Sequence, residues 1–174
     1  MPRRPKKVPR ARKSLRRRPL PAPRIRPASV ADAATVRDLL HELGYRATVR
    51  DVTRRLRALL ATGSDPIFLA IADGGAVGLM ALHSGSMLQY REPVTRITTL
   101  VIAASARGTG IGRLLVAHAA KLAKARGCGA LELTTGLARH DAQAFYRAIG
   151  FNATALRFVR PLSSRMKRRL DYRV

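Results

Sequence analysis

The chain has 174 residues, 47% of them apolar, and 34 basic against 10 acidic side chains, a formal charge of +24. That length suits one domain with a sizeable core and excludes two ordinary ones, while no apolar run approaches the roughly 20 residues of a membrane helix. A lone cysteine, Cys128, excludes an internal disulfide, and the four histidines show no metal-ligand spacing; a soluble, cytoplasmic protein with a metal-free site is expected.

Residues 1–24 hold 11 of the basic side chains, six prolines and no acid, which leaves +13 on the remainder. So little apolar surface cannot offset the entropy of ordering, and the segment is expected to be disordered. It reads as a solvated tail or as upstream sequence from an early start codon. The sharper alternative is an arm that binds polyanions through counterion release, without aromatics to stack on bases. It has no apolar stretch of the secretory kind.

Order is expected from Ile25, with a short extended segment. Ser29-Val30-Ala31-Asp32 reads as a capping box opening a helix whose apolar face is Val36, Leu39, Leu40 and Leu43, with Gly44 ending it. A second box, Thr48-Val49-Arg50-Asp51, opens a helix carrying Val52, Leu56, Leu59 and Leu60 and stopped at Gly63. Residues 67–72 and 76–84 flank Asp73-Gly74-Gly75, a hairpin signal because glycine reaches positive φ freely. The β-branched run 94–102 predicts a third long strand in the middle of the sheet.

Residues 110–126 form the strongest helical pattern, with Ile111, Leu114, Leu115, Ala119 and Leu122 on one side and Gly127 at the end. Residues 130–135 predict a short strand, 141–149 a short helix stopped by Gly150, and 151–162 a closing strand. From residue 163 the chain is basic again and is expected to fray. The order β-αα-β-β-β-α-β-α-β places the chain in the mixed α/β (α+β) class, a mixed sheet covered by helices. One folded domain over 25–162 is expected, between tails at 1–24 and 163–174.

The segment richest in chemistry is Leu100-Val101-Ile102, four small residues, then Arg107-Gly108-Thr109-Gly110-Ile111-Gly112 opening the long helix. A helix N-terminus offers unpaired N–H groups and partial positive charge to an anion. Glycines at 108, 110 and 112 remove side chains that would hold a pyrophosphate away, and Arg107 and Arg113 can add charge-assisted hydrogen bonds. A Walker loop fails for want of a lysine after the glycines. A dinucleotide fingerprint has Arg113 where its third glycine belongs, although Glu132 sits at a fitting distance; a plain strand-to-helix turn also stays open.

This block resembles the Q/R-x-x-G-x-G/A acyl-CoA loop of the GCN5-related N-acetyltransferase (GNAT) family, matched by Arg107, Gly110 and Gly112. The likeness runs from Ile25 to Leu162, about four-fifths of the chain. It includes the IRPAS opening, the LVI strand end, Gly127, and the closing AxxFYxxxGF as Ala142, Phe145, Tyr146, Gly150 and Phe151. It implies a GNAT-like, mostly antiparallel sheet flanked by helices and an acetyl-CoA-dependent N-acyltransferase. It implies further that Leu100, Val101 and Ile102 offer backbone groups to the pantetheine arm and that residues 107–112 wrap the pyrophosphate. The strand at 94–102 would splay from that at 130–135, and an N–H near Val101 would polarise the thioester carbonyl.

In the family the tyrosine matching Tyr146 protonates the departing thiolate, and a phenol can do so; the other reading is a core aromatic. Phe145 points about 100° away on a helix, so it is assigned to the core and Tyr146 to the cleft. The amine must lose a proton. Glu132, His83 and Glu92 are the candidate bases beside a water relay. Arg139 stands where many members have an asparagine, so the usual contact of that side chain with the cofactor is not expected here, although Arg139 or Arg147 could meet a CoA phosphate instead. Cys128 reads as a packed small residue.

The connector Leu43-Gly44-Tyr45-Arg46 is implied to line the acceptor site. The basic body favours small neutral or acidic amines over polycations, unless Glu42, Asp51 or Glu92 builds an acidic pocket; protein amines stay open, as does a homodimer. The rival reading is a nucleic-acid-binding protein that uses the fold as scaffold.

Overall fold

The computed structural model describes residues 23–164 and Met166; most of the two terminal segments lies outside them, and so do the expectations for those segments. Its elements are β1 (Arg24–Pro27), α1 (Ala33–Glu42), α2 (Val49–Ala61), β2 (Ile67–Ala72), β3 (Gly75–Gly85), β4 (Val94–Ile102), α3 (Ile111–Ala125), β5 (Ala130–Leu133) and α4 (His140–Ala148). Arg24, assigned from sequence to the tail, pairs with Ile71 in β1.

The start signals act through visible chemistry. Asp32 accepts from the Ser29 N–H at 2.7 Å and from both terminal nitrogens of Arg26, at 2.6 and 2.9 Å. Those bonds, the Arg26 ones first, hold its carboxyl well below the usual carboxylate range. The box opens a 3-10 turn at Val30–Asp32, with α1 following from Ala33. Thr48 caps α2 reciprocally with Asp51, whose N–H donates to Thr48 Oγ1 at 3.1 Å. Asp73 (φ 51°) and Gly74 (φ 77°) supply the two positive-φ residues of the tight turn between β2 and β3.

The sheet runs β1-β2-β3-β4-β5, antiparallel until β5, which pairs parallel to β4. One face buries Leu69 and Leu79 of the sheet under Val36, Leu39, Val52 and Leu56 of α1 and α2. The other buries Met80, Leu82 and Ile97 under Ile111, Leu115 and Ala119 of α3. Leu115 is fully buried, worth about 1.5–3 kcal/mol by transfer. Gly78 lets α3 lie this close, since a Cβ there would stand 3.1 Å from Leu115 Cδ1.

Between Ala81 and Leu82 the β3–β4 register slips, leaving Thr98 as an extra residue in β4. The bulge changes the alternation, so Ile97, Leu100 and Ile102 all pack toward α3. No such device closes the sheet after α4. The strand expected at 151–162 does not form: Asn152–Arg160 is exposed and outside the ladder. The physical reason lies at both ends. β5 offers only four residues to pair with, and Phe151 turns its ring back onto Tyr146 with centroids 5.9 Å apart.

Candidate acyl-CoA site at a forked sheet

The site begins where β4 leaves its neighbour. β4 and β5 pair from Val94↔Ala130 to Ile97↔Leu133, and there β5 ends. Residues 98–102 therefore form an edge on that side, and the two strands make a fork. Ala103 donates its N–H to Val77 O at 2.9 Å, which sets the phase of the ladder with β3. In an antiparallel pair the peptide groups alternate sides, so Val101 exchanges bonds with Leu79 while Leu100 and Ile102 turn theirs into the fork. The backbone of Val101 thus faces the sheet, and the groups turned to the open edge are those of Leu100 and the N–H of Ile102. Ile102 O already accepts from Arg107 Nε at 3.3 Å.

Past β4, a 3-10 turn at Ala104–Ala106 buries Ala106, and the chain bends into α3. Gly108 and Gly110 have φ of 76° and 88°, conformations that L side chains rarely adopt, and their Cα hydrogens face open space. Thr109 Oγ1 donates to Ala106 O at 2.6 Å and fixes the bend from inside. The first α-helical bond is Leu114 N–H to Gly110 O, 3.0 Å. Among the described residues no acceptor takes the N–H of Gly108, Thr109, Gly110, Ile111, Gly112 or Arg113. Six amides at the positive end of the longest helix are thus unspent, a donor set suited to a diphosphate.

Two loop residues also have partners within the protein. A Cβ on Gly112 would lie 3.2 Å from Phe145 Cζ, so this glycine admits α4 against the start of α3. Arg107 reaches Glu42 at the end of α1, Nη2 to Oε2 3.2 Å, and ties the bend to that helix. Arg113 stands exposed on the first turn of α3.

α4 brings Tyr146 to the same corner. Its ring lies 5.3 Å from Phe145 and 5.9 Å from Phe151, and burial pushes its phenol above the ordinary 10.0, with Arg139 opposing and Asp141 adding to the rise. Phe145, expected in the core, is half-buried on Gly112.

The candidate bases are not gathered at the fork. His83 Nδ1 lies 2.7 Å from Asp65 Oδ1, and Glu92 packs on Gly129 at the closed end of the sheet. Glu132 sits one step below the fork, ion-paired to Arg96, whose Nε donates at 2.6 Å. Sequence reasoning did not single out Arg96 or the bulge at Thr98; neither leaves a local signal. Thr95 Oγ1 donates to Cys128 Sγ at 3.2 Å, a packing role. Among the described residues no three His, Cys, Asp or Glu side chains come together, and no helix is long and apolar enough to cross a membrane.

Residues 34–151 match the sequence profile of the Acetyltransferase (GNAT) family. The chain belongs to the GNAT family. GNAT proteins use acetyl-CoA as co-substrate for N-acyl transfer, and the forked sheet beside an open glycine bend is in keeping with that chemistry. The chain is 34% identical over 94 residues to the aminoalkylphosphonate N-acetyltransferase of Salmonella typhimurium, spanning 54% of this chain and 61% of the relative. It is 31% identical over 137 residues to the aminoglycoside N(6')-acetyltransferase type 1 of Stenotrophomonas maltophilia, spanning 76% of this chain and 88% of that one. Among solved structures, one described as a transcriptional regulator from Bacillus halodurans C-125 superimposes with a TM-score of 0.72 at 26% identity, covering 80% of this chain and 99% of its own.

Proposed function

We propose that this GNAT protein moves an acetyl group from acetyl-CoA directly to the primary amine of a small molecule, with Tyr146 as the acid that protonates the leaving thiolate. The observation that carries the reading is the set of six unpaired amides at residues 108–113, placed where the free edge of β4 ends. Those amides and Arg113 would hold the diphosphate. Leu100 and Ile102 would take the pantetheine amides as an added strand, leading the thioester down the fork. An N–H of that edge, Leu100 rather than Val101, would face the carbonyl oxygen as negative charge develops there.

The amine nitrogen bonds to the carbonyl carbon, the C–S bond breaks, and Tyr146 Oη gives its proton to sulfur. Because burial raises the Tyr146 phenol, it stays protonated at neutral pH. The second proton of the amine leaves to water, since no candidate base is aimed at the fork. Glu42, Asp51 and Glu92 engage Arg107, Thr48 and Gly129 respectively, which speaks against an acidic pocket for a polycation. An acid-bearing amine suits the basic body better, and the phosphonate in the Salmonella relative's name points the same way.

The test is thiol release from acetyl-CoA across an amine panel. Turnover with small amines is expected; acetyl-CoA binding without turnover of any amine, peptide amines included, would contradict the reading. A second reading, a phosphate-rich polymer docked on the protein, is favoured by Arg50, Arg54 and Arg57, which stand exposed along one face of α2. Binding of such a polymer that blocks no turnover would leave the two compatible.

A further inference from the structure

The fork has two faces, which differ in polarity. Toward α3, Leu100, Ile102, Leu131, Leu133 and Phe151 pack against the core and make that face apolar. The opposite face is apolar under α1 and α2, at Leu79, Ala81 and Val101, and polar beyond their cover. There β3, β4 and β5 place His83, Arg96 and Glu132 side by side at one level, by the registers His83↔Arg96 and Arg96↔Glu132. Thr98, in the bulge, is exposed at the vertex just above that row. An amine attacking a carbonyl held in the fork from this side must cross this row.

Within it, His83 is engaged by Asp65, which also accepts from Thr62 and Ser64 hydroxyls at 3.0 and 3.1 Å. Arg96 and Glu132 hold only each other, with side chains 46% and 35% exposed. Arg157 lies farther up the same face, its Nη1 donating to Thr134 Oγ1 at 3.3 Å. A pair that open to water is worth at most about 1 kcal/mol. A ligand bearing both charges can therefore part it and satisfy both halves at once, which neither a simple amine nor a diamine can do.

We infer, on the acetyl-transfer reading above, that the acceptor is a zwitterion, an amine carrying an anionic oxygen group, with Arg96 taking the acid group and Glu132 docking the ammonium end beneath the vertex. Arg96 is then the residue that determines specificity, through the paired donors of its planar guanidinium. Glu132 is the positioning residue. The docked ammonium gives one proton to water before it attacks, and its nitrogen lies one residue step, roughly 3.3 Å, below the last β4–β5 pair.

The experiment compares three acceptors of one chain length, aminoethylphosphonate, ethylamine and ethylenediamine, by thiol release with the full chain. The expected ratio of kcat/KM for aminoethylphosphonate over ethylamine is tenfold or more, on the order of one charge-assisted contact, with ethylenediamine poorest. Arg96→Gln should bring that ratio near unity through the KM of the phosphonate, and Arg96→Lys should restore part of it. A ratio near unity in the native protein, a preference for the diamine, or a ratio unmoved in Arg96→Gln would overturn the inference. If acetyl-CoA binds by calorimetry but none of the three turns over, the acceptor class alone is wrong. If acetyl-CoA does not bind, the reading on which it rests falls instead.

Discussion

Replacing Gly110 separates two physical effects at the bend. Gly110→Ala keeps the loop neutral but forces a Cβ onto a backbone with φ of 88°. That costs about 1–2 kcal/mol of stability, or a Tm lower by about 2–8 °C. The Cβ meets no atom within 4 Å, so the cost is one of conformation and not of collision. Gly110→Glu adds the same strain and a carboxylate beside the proposed diphosphate. At about 5 Å a unit pair repels by about 0.8 kcal/mol in water and about 3 kcal/mol at a surface dielectric near 20. With two phosphates in range the repulsion is about 1.7 kcal/mol at the weak end, so acetyl-CoA affinity should fall by about 10-fold or more relative to Gly110→Ala. Calorimetric titration at 0.05 and 0.5 M salt is the assay, because the charge component must shrink as screening shortens its range. Equal affinities for the two variants, or a salt-independent loss, would refute the claim that phosphate lies against this glycine.

Tyr146→Phe should lower kcat by about 10²–10⁴ while leaving acetyl-CoA affinity nearly unchanged; equal turnover would make Tyr146 a packing residue. Since the acid form is the active one and its pKa is raised, kcat should stay level up to the ordinary phenol value of 10.0, and an earlier alkaline fall that disappears in Tyr146→Phe would contradict this. Asp32→Asn removes the box and the Arg26 pair, and should cost about 1 kcal/mol at pH 7 by thermal melting. A depressed carboxylate stabilises above its unfolded pKa and loses that contribution as pH falls through the folded value; the gap between native and variant should therefore begin to narrow below about pH 4 and go on narrowing with further acid. Deleting residues 1–22 should weaken salt-sensitive heparin binding and spare thiol release, and loss of turnover would show that the tail serves the reaction.

Most of the fold was legible because its signals are local. Two capping boxes, a hairpin turn with two positive-φ residues and a helix with one apolar side each act within a few residues of themselves. The family resemblance rested on motifs just as compact. What escaped depended on partners distant in sequence. Nothing local says that Gly112 exists for Phe145, 33 residues on, or that Arg107 turns to Glu42 instead of solvent. Thr98 gives no sign that it is an extra residue, yet the bulge there decides which peptide groups face the fork. The stretch 151–162 has strand-forming composition, and four residues of β5 give it too little ladder to join. Arg96 reads as an ordinary exposed strand residue until β3 and β5 supply its neighbours.

The central claim concerns main-chain amides, and amide spectra address it without any substitution. In a protein labelled with 15N-glycine, CoA should shift Gly108, Gly110 and Gly112 in one saturable step, whereas pantetheine, which lacks the diphosphate, should leave Gly108 and Gly110 in place. Tight CoA binding with those two glycine signals unmoved would contradict the account.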